Sequence, residues 1–216
     1  MVKKIVGTGV LLVLALALQA GVKMYTLKSP DGKVKLEVTA GQGIAYSLFY
    51  DGRLLLKPSR IALHTDLPEA DHWENIRITG TKQRHVSETV QAPFYRVKEF
   101  GIDCNELELR LNNGFSLLMR AYNDGMAYRF VAGRKGEMTV VEERAEFNFA
   151  DDFEAYIPYS TNPKDPWNMA FQNFYTKAPL TQYNTELPAF LPLTVDAGAV
   201  KLTLLESDLE AYPGMF

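Results

Sequence analysis

Residues 120–130 read Arg-Ala-Tyr-Asn-Asp-Gly-Met-Ala-Tyr-Arg-Phe and give the strongest indication of fold in this chain. The Asp-Gly pair at 124–125 stands between two segments in which apolar and polar residues alternate. Glycine adopts the positive φ of a tight turn without steric cost, so this pattern is a strong hairpin signal. We therefore predict two antiparallel strands joined by a short turn. Arg120 and Arg129 flank the turn, and we expect them to pair with glutamate side chains across strands.

The same alternation continues on both sides of this hairpin. Val34, Leu36 and Val38 alternate with charged residues, and a second Asp-Gly pair follows Tyr50. Further alternating segments lie at 106–111, 115–122, 140–149 and 200–205. Short alternating segments separated by turn signals predict an all-β antiparallel sandwich. Long amphipathic helices and βαβ runs are absent from this sequence pattern, which argues against a parallel sheet.

Residues 158–192 break the pattern, because proline recurs there among aromatic residues. Proline at this density excludes regular central strands. A long loop in a compact domain is usually functional or packs against a partner. Trp167, Phe171 and Tyr175 follow an i, i+4, i+8 spacing, which suits a short helical turn with one apolar face. We expect these aromatic residues to pack against another part of the protein, to lie near a ligand, or to hold the loop together.

The first twenty residues differ from the rest of the chain. Lys3 and Lys4 precede an apolar run at 10–18, and small residues such as Ala20 follow it. This order is typical of a secretory signal peptide, and the run is short for a membrane span of roughly 20 residues. We predict a periplasmic or secreted protein whose mature part is 21–216, with no membrane partner after signal removal.

Composition and sequence motifs argue against several other classes of protein. A formal net charge of −3 argues against a nucleic-acid partner, which favours a basic surface. Cys104 is the only cysteine, so an intramolecular disulfide is impossible and the core must stabilise the fold. The three histidines lack zinc-ligand spacing, and phosphate-loop and nucleophile-elbow motifs are missing from the sequence. Acidic runs at 151–154 and 206–210 could bind a cation, although solvated turns are the commoner explanation.

Five ordered motifs resemble the N-terminal domain of glycoside hydrolase family 97, the SusB-type bacterial α-glucosidases and α-galactosidases. The hairpin at 120–130 is the most specific of them. The others are Leu-Lys-Ser-Pro-Asp-Gly at 27–32, Tyr-Ser-Leu-Phe-Tyr-Asp-Gly at 46–52, Phe-Gln-Asn-Phe-Tyr-Thr at 171–176 and Glu-Ser-Asp-Leu-Glu-Ala-Tyr-Pro-Gly-Met at 206–215. Together they extend over nearly the whole predicted mature chain.

The resemblance implies a galactose mutarotase-like super-β-sandwich that packs on a C-terminal (β/α)₈ barrel carrying the catalytic carboxylates. It also implies a calcium ion near the active site, to which a loop of the N-terminal domain supplies a carboxylate. Gln172 stands where that glutamate is expected, and Asn173 could serve equally. An amide oxygen can ligate calcium, although it carries less charge than a carboxylate. Family members include both inverting and retaining enzymes, so the resemblance leaves the mechanism open.

We therefore interpret the chain as the non-catalytic N-terminal domain of an exported glycosidase that cleaves terminal α-linked glucose or galactose. In this interpretation it braces the barrel and shapes the oligosaccharide pocket, and no catalytic residue is assigned within it. The sequence ends at Phe216, inside the expected sandwich, so we expect a truncated domain that is inactive alone. The main alternative is a stand-alone carbohydrate-binding module of a polysaccharide-utilisation system. A third is a mutarotase- or epimerase-like enzyme that uses His72 or His85.

Overall fold

The computed structural model describes residues 23–160, 162, 164–166, 173–207, 209, 212 and 214–215. This part of the chain forms thirteen strands and one short 3-10 helix, Leu180–Gln182. The strands are β1 (Lys23–Lys28), β2 (Val34–Gly41), β3 (Gly43–Tyr50), β4 (Arg53–Thr65), β5 (Ile78–Gln91), β6 (Glu99–Leu111), β7 (Phe115–Tyr122), β8 (Gly125–Ala132), β9 (Val140–Ala145), β10 (Glu154–Ile157), β11 (Thr176–Pro179), β12 (Leu193–Asp196) and β13 (Lys201–Leu204).

The strands form three sheets, and the strand pairings in the described residues are antiparallel. Sheet A has the order β1-β2-β3-β4-β9, sheet B the order β5-β6-β7-β8, and sheet C the order β11-β10-β12-β13. The predicted all-β antiparallel architecture is confirmed. Across the described residues, no helix is both long enough and apolar enough to cross a membrane.

The predicted hairpin at 120–130 is β7–β8, but our reason for its glycine was wrong. Tyr122 pairs with Gly125, so Asn123 and Asp124 form the connection. Gly125 begins β8 and does not adopt positive φ. The second Asp-Gly pair behaves as expected, since Asp51 and Gly52 have φ values of 48° and 78° at the β3–β4 turn. The Asp-Gly pair therefore predicted the position of both hairpins. Only in the β3–β4 turn do its residues adopt the left-handed conformation.

The main core lies between sheets A and B. Sheet A contributes buried residues such as Leu36, Ile44 and Tyr46, and sheet B contributes Leu109 and Leu117. Alternate residues of β2 and of β7 are buried, as expected when one face of each strand covers a core. The buried thiol of Cys104 is free, so burial of apolar surface is the main stabilising term in this part of the chain.

Trp73 fixes the connection that leads from sheet A to sheet B. Its indole Nε1 donates a hydrogen bond to the carbonyl oxygen of Leu63 at the end of β4, over 3.0 Å. Its ring lies 5.2 Å from the ring of Phe130 and 6.1 Å from that of Phe115, both in sheet B. The residue is 5% exposed. One side chain therefore joins the two layers through a hydrogen bond and aromatic packing.

Sheet C covers a second, smaller core formed by Ala155, Ile157, Ala189 and Val195. The proline-rich segment 158–192 supplies β11 and the 3-10 helix to this region, so it is not wholly irregular. β11 ends at Pro179 and lies at the edge of sheet C. That position agrees with the expectation that proline excludes central strands, because proline cannot donate a ladder hydrogen bond.

Strands β5 and β6 extend beyond the rest of sheet B. β6 pairs with β5 from Glu99 to Leu111, whereas β7 pairs with β6 only from Cys104 to Arg110. Residues 87–91 and 99–103 therefore form a two-stranded extension, and 92–98 connect its strands. We call residues 87–103 the arm.

Candidate functional site

A row of charged side chains crosses the face of sheet B that points away from sheet A. Arg84, Glu106 and Arg120 are direct neighbours in the registers of β5, β6 and β7. Arg84 Nε donates to Glu106 Oε1 over 2.5 Å, and Arg120 Nε donates to Oε2 over 2.8 Å. The Glu106 side chain is 5% exposed, whereas that of Arg84 is 52% exposed. The predicted cross-strand pairing of Arg120 with a glutamate is confirmed.

Glu106 is held in its ionised form by this arrangement. Burial raises the pKa of its carboxyl group, but hydrogen bonds from Arg84 and Arg120 outweigh burial and lower the pKa below the ordinary 4.5. Hydrogen bonds to Tyr122 and Glu106 raise the pKa of Arg120 in turn. The thiol of the neighbouring Cys104 has a pKa raised by burial, which makes it a poor nucleophile. The row therefore places a buried, ionised carboxylate between two guanidinium groups.

A depression of about 330 Å³ opens beside this row, and we call it the sheet B depression. Lys82, Arg84 and Arg129 line it together with the carboxylates of Glu106 and Glu108. Ser116, Leu118 and Val131 complete its wall. Three cations and two carboxylates line the depression, so it carries a small excess of positive charge.

A second depression of about 330 Å³ lies on the outer side of sheet A, next to the β2–β3 turn. Arg60, Arg144, Glu146 and Asn148 supply most of its polar lining. Glu146 accepts hydrogen bonds from the backbone N–H of Arg60 and from the side chains of Arg144 and Asn148. The side chains of Arg144, Glu146 and Asn148 are thus already paired with one another.

Only two of the five predicted loop residues lie within the described part of the chain. Trp167, Phe171 and Gln172 fall outside it, so the helical turn at 167–175 stays a prediction. Asn173 is partly buried, and its Nδ2 donates to the carbonyl oxygen of Tyr159 over 3.1 Å. Tyr175 is 46% exposed, and its neighbour Phe174 is fully exposed. This end of the segment therefore presents two aromatic side chains to solvent.

The acidic residues at 151–154 each bind a separate group. Asp152 accepts from the backbone N–H and the hydroxyl of Thr181, over 2.9 and 2.8 Å. Glu154 pairs with Lys177 at 2.8 Å. Glu206, from the second acidic run, accepts from the backbone N–H of Met215. Among the described residues, no three His, Cys, Asp or Glu side chains form a group that could hold a metal ion.

The histidines are not gathered into one site with a glutamate. His72 and Glu74 are exposed on either side of the buried Trp73. His85 lies on β5, 3.1 Å from Asp103 and 3.0 Å from Asn105. His64 Nδ1 lies 2.6 Å from Asp71 Oδ1, a partly buried pair that no spacing motif in the sequence indicates.

None of the described carboxyl groups with a shifted pKa is a candidate proton donor. Each such group in the described residues is displaced downward: Asp31, Asp66, Glu69, Glu106, Glu146 and Asp196. A glycosidase acid must instead be protonated near the working pH, which requires a raised pKa.

Comparison with known proteins places this domain among larger enzymes. The chain is 41% identical to a retaining alpha-galactosidase of Bacteroides thetaiotaomicron, over 93% of this chain and 31% of that protein. It is 26% identical to a probable retaining alpha-galactosidase of Streptomyces bingchenggensis, over 71% of this chain and 24% of that protein. The chain therefore spans less than a third of the length of these relatives.

Solved structures share the fold at low sequence identity. A beta-arabinopyranosidase matches with a TM-score of 0.68 and 22% identity, over 79% of this chain and 29% of that one. A glycoside hydrolase family 97 enzyme of a Pseudoalteromonas species, in complex with acarbose, matches with a TM-score of 0.64 and 19% identity, over 79% and 26%. The family model described as Glycosyl-hydrolase 97 N-terminal matches residues 27–216. This chain therefore belongs to the glycosyl-hydrolase 97 N-terminal family.

Proposed function

We propose that this chain is the non-catalytic N-terminal sandwich of an exported glycoside hydrolase that removes terminal α-linked galactose. The observation that carries the proposal is the 41% identity over 93% of the chain to a retaining alpha-galactosidase. Galactose is favoured over glucose because both curated relatives bear the α-galactosidase name. Export is proposed from the signal-peptide pattern of residues 1–20 alone.

In this proposal the sandwich braces the catalytic part and shapes one wall of its pocket. A retaining glycosidase needs two carboxyl groups about 5 Å apart, one of which is protonated before bond cleavage. Glu106, a buried carboxylate of the described chain, is ionised and paired with two arginines. We therefore assign the reacting carboxyl groups to the part of the enzyme that this chain does not cover.

The proposal also includes a calcium site, to which the segment that contains Gln172 and Asn173 would supply an oxygen ligand. The hydrogen bond from Asn173 Nδ2 to Tyr159 holds the amide in place and does not use its oxygen, the atom type that calcium prefers. Asn173 therefore fits the role of one neutral oxygen ligand, and the remaining ligands would come from elsewhere in the enzyme. Bound calcium would supply positive charge beside the substrate.

If the reacting carboxyl groups lie outside this chain, the chain alone and a fusion protein should differ in hydrolytic activity. In the fusion, this chain replaces the matched part of the Bacteroides thetaiotaomicron α-galactosidase. The chain alone should release no nitrophenol from p-nitrophenyl α-galactoside above the blank, whereas the fusion should hydrolyse it. The remainder of the relative, made without any N-terminal domain, is the control and should be much less active than the fusion.

Two results would contradict this proposal. Hydrolysis by the chain alone would place reacting groups inside it. Micromolar binding of an α-galactoside by the chain alone, measured by calorimetry, would favour the stand-alone carbohydrate-binding module instead.

The calcium proposal predicts that Asn173→Ala weakens metal binding in the fusion. The substitution removes one oxygen ligand, so the free calcium needed to restore hydrolysis after EDTA treatment should rise about tenfold. Asn184→Ala is the matched control, because Asn184 lies in the same segment and is exposed. An unchanged calcium requirement in Asn173→Ala would exclude Asn173 as a ligand.

A further inference from the structure

The arm has its polar and apolar faces reversed relative to the sandwich. Residues two apart on a strand share a face, so Val90, Phe100 and Ile102 lie on the same side as Glu106. The opposite side, which continues the core face of β6, carries only polar residues and one glycine: Ser87, Thr89, Gln91, Glu99, Gly101 and Asp103. A sheet that packs on one core normally shows the opposite arrangement.

The apolar side of the arm is continuous with buried residues at its base. Val86 and Cys104 are 8% and 0% exposed, yet neither belongs to the core between sheets A and B. From there the side continues through Ile102 to Val90 and Phe100, and the ring of Tyr95 lies 5.7 Å from that of Phe100. We call Val90, Tyr95, Phe100 and Ile102 the apolar arm face.

Most of this face is exposed in the described chain, although Ile102 is partly buried. Val90 and Phe100 are 42% and 41% exposed, and Phe94 at the tip is fully exposed. A two-stranded hairpin is marginally stable in water unless a third element packs on it. The side chains of this face therefore gain little by burial within the domain, and a partner that covers them would stabilise the arm.

Positive charge borders the apolar arm face at both ends. Arg96 and Lys98 are exposed at the tip, and Arg84 and Arg120 lie beyond Cys104 at the base, where the two arginines share the single carboxylate of Glu106. Glu88 is the acidic residue on this side of the arm. A second copy of the chain would bring similar cations towards each other, so the charge pattern favours a partner with an acidic rim.

We infer that the apolar arm face docks against the catalytic part of the parent glycoside hydrolase, on an apolar patch with an acidic rim. This inference rests on the proposed function, because the curated relatives carry more than two thirds of their length outside the matched part. Domains of one polypeptide pack through interfaces of mixed apolar and polar character. The sheet B depression continues the same surface, and its excess of cations extends the complementarity.

The test compares the accessibility of two neighbouring positions on opposite sides of the arm. Val90→Cys probes the apolar arm face, and Thr89→Cys is the matched control on the polar side. Alkylation by iodoacetamide is followed by mass spectrometry in the chain alone and in the fusion. Cys104 is the other cysteine of the chain and is buried, so it should react slowly in both proteins.

We expect the fusion to slow alkylation at Val90→Cys at least about tenfold relative to the chain alone, with Thr89→Cys unchanged. Equal alkylation of Val90→Cys in an active fusion would overturn the docking inference and leave the proposed function intact. Protection of Val90→Cys that rises with the concentration of the chain alone would instead identify a second copy as the partner.

A second measurement keeps the inference testable if the fusion does not fold. Phe100→Ser in the chain alone should lower the melting temperature by no more than about 4 °C, because the side chain is 41% exposed and packs on Tyr95 at the surface of the arm. Leu109→Ala is the positive control, since Leu109 is fully buried in the core. A large fall in melting temperature for Phe100→Ser would show that the chain already covers this face itself.

Discussion

Trp73→Ala should lower the free energy of unfolding by about 3–5 kcal/mol, the usual cost of truncating a buried aromatic residue. The indole is 5% exposed and packs against Phe115 and Phe130 of sheet B. Its removal leaves a cavity between the layers and takes away the hydrogen bond that the carbonyl oxygen of Leu63 accepts from the indole. Urea unfolding followed by far-UV circular dichroism measures the effect without depending on tryptophan fluorescence.

Two control variants separate the contributions of Trp73. Trp73→Phe keeps most of the ring packing and loses the hydrogen bond to Leu63, so we expect a cost of about 1–2 kcal/mol. His72→Ala changes the exposed neighbour and should stay within about 0.5 kcal/mol. If Trp73→Ala cost no more than His72→Ala, Trp73 would not join the two sheets.

Glu106→Gln should cost about 2–3 kcal/mol of stability at pH 7, because it leaves two arginines without their shared carboxylate. Removing one partner of a buried ion pair costs roughly 3–5 kcal/mol. The expected cost of Glu106→Gln is lower, because water can solvate both guanidinium groups. Arg84 is half exposed and Arg120 is a quarter exposed. Glu108→Gln on the same face is the matched control, since Glu108 is less buried.

The same substitution should change how stability depends on pH. The pKa of Glu106 in the folded chain lies below its ordinary value of 4.5. Its contribution is therefore fully present above the unfolded pKa and is lost as pH falls through the lower folded pKa. Glu106→Gln should flatten the decline of stability below about pH 4.5, as measured by urea midpoints at successive pH values. An unchanged pH profile would mean that Glu106 does not titrate in this range.

The strand pattern was predictable from the sequence because alternation is a local property. Both Asp-Gly hairpins and the antiparallel class follow from residues that are close along the chain. The backbone conformation of Gly125 was not predictable in the same way. The connection between β7 and β8 uses Asn123 and Asp124, and turn type depends on geometry that a dipeptide signal does not specify.

The buried carboxylate was missed because its partners come from other strands. Glu106 alternates with Leu107 and Leu109 and therefore resembles an ordinary surface residue of β6. Its partner Arg84 is 22 positions away along the chain and becomes a neighbour only through the β5–β6 register. Arg120 gave the one usable signal, since the sequence predicted that it pairs with a glutamate.

The reversed arm shows a related limit of sequence patterns. Alternation at 86–91 and 99–104 indicates two faces, but the period alone does not say which face meets the core. The predicted calcium and aromatic positions Trp167, Phe171 and Gln172 lie outside the described residues and stay predictions. The sequence motifs were sufficient to predict the family of the chain. The apolar surface of the arm became visible only once the register of β5 and β6 was known.

The outer position of β5 in sheet B also bears on solubility. This strand is 14 residues long, and nearly all of it is exposed along an edge to which another chain could add by backbone hydrogen bonding. Lys82, Arg84, His85 and Glu88 interrupt that edge with charge, a common means by which sheet proteins discourage intermolecular strand addition. These charges thus lower the risk that the domain forms fibrous aggregates through the edge of β5 while the apolar arm face is uncovered.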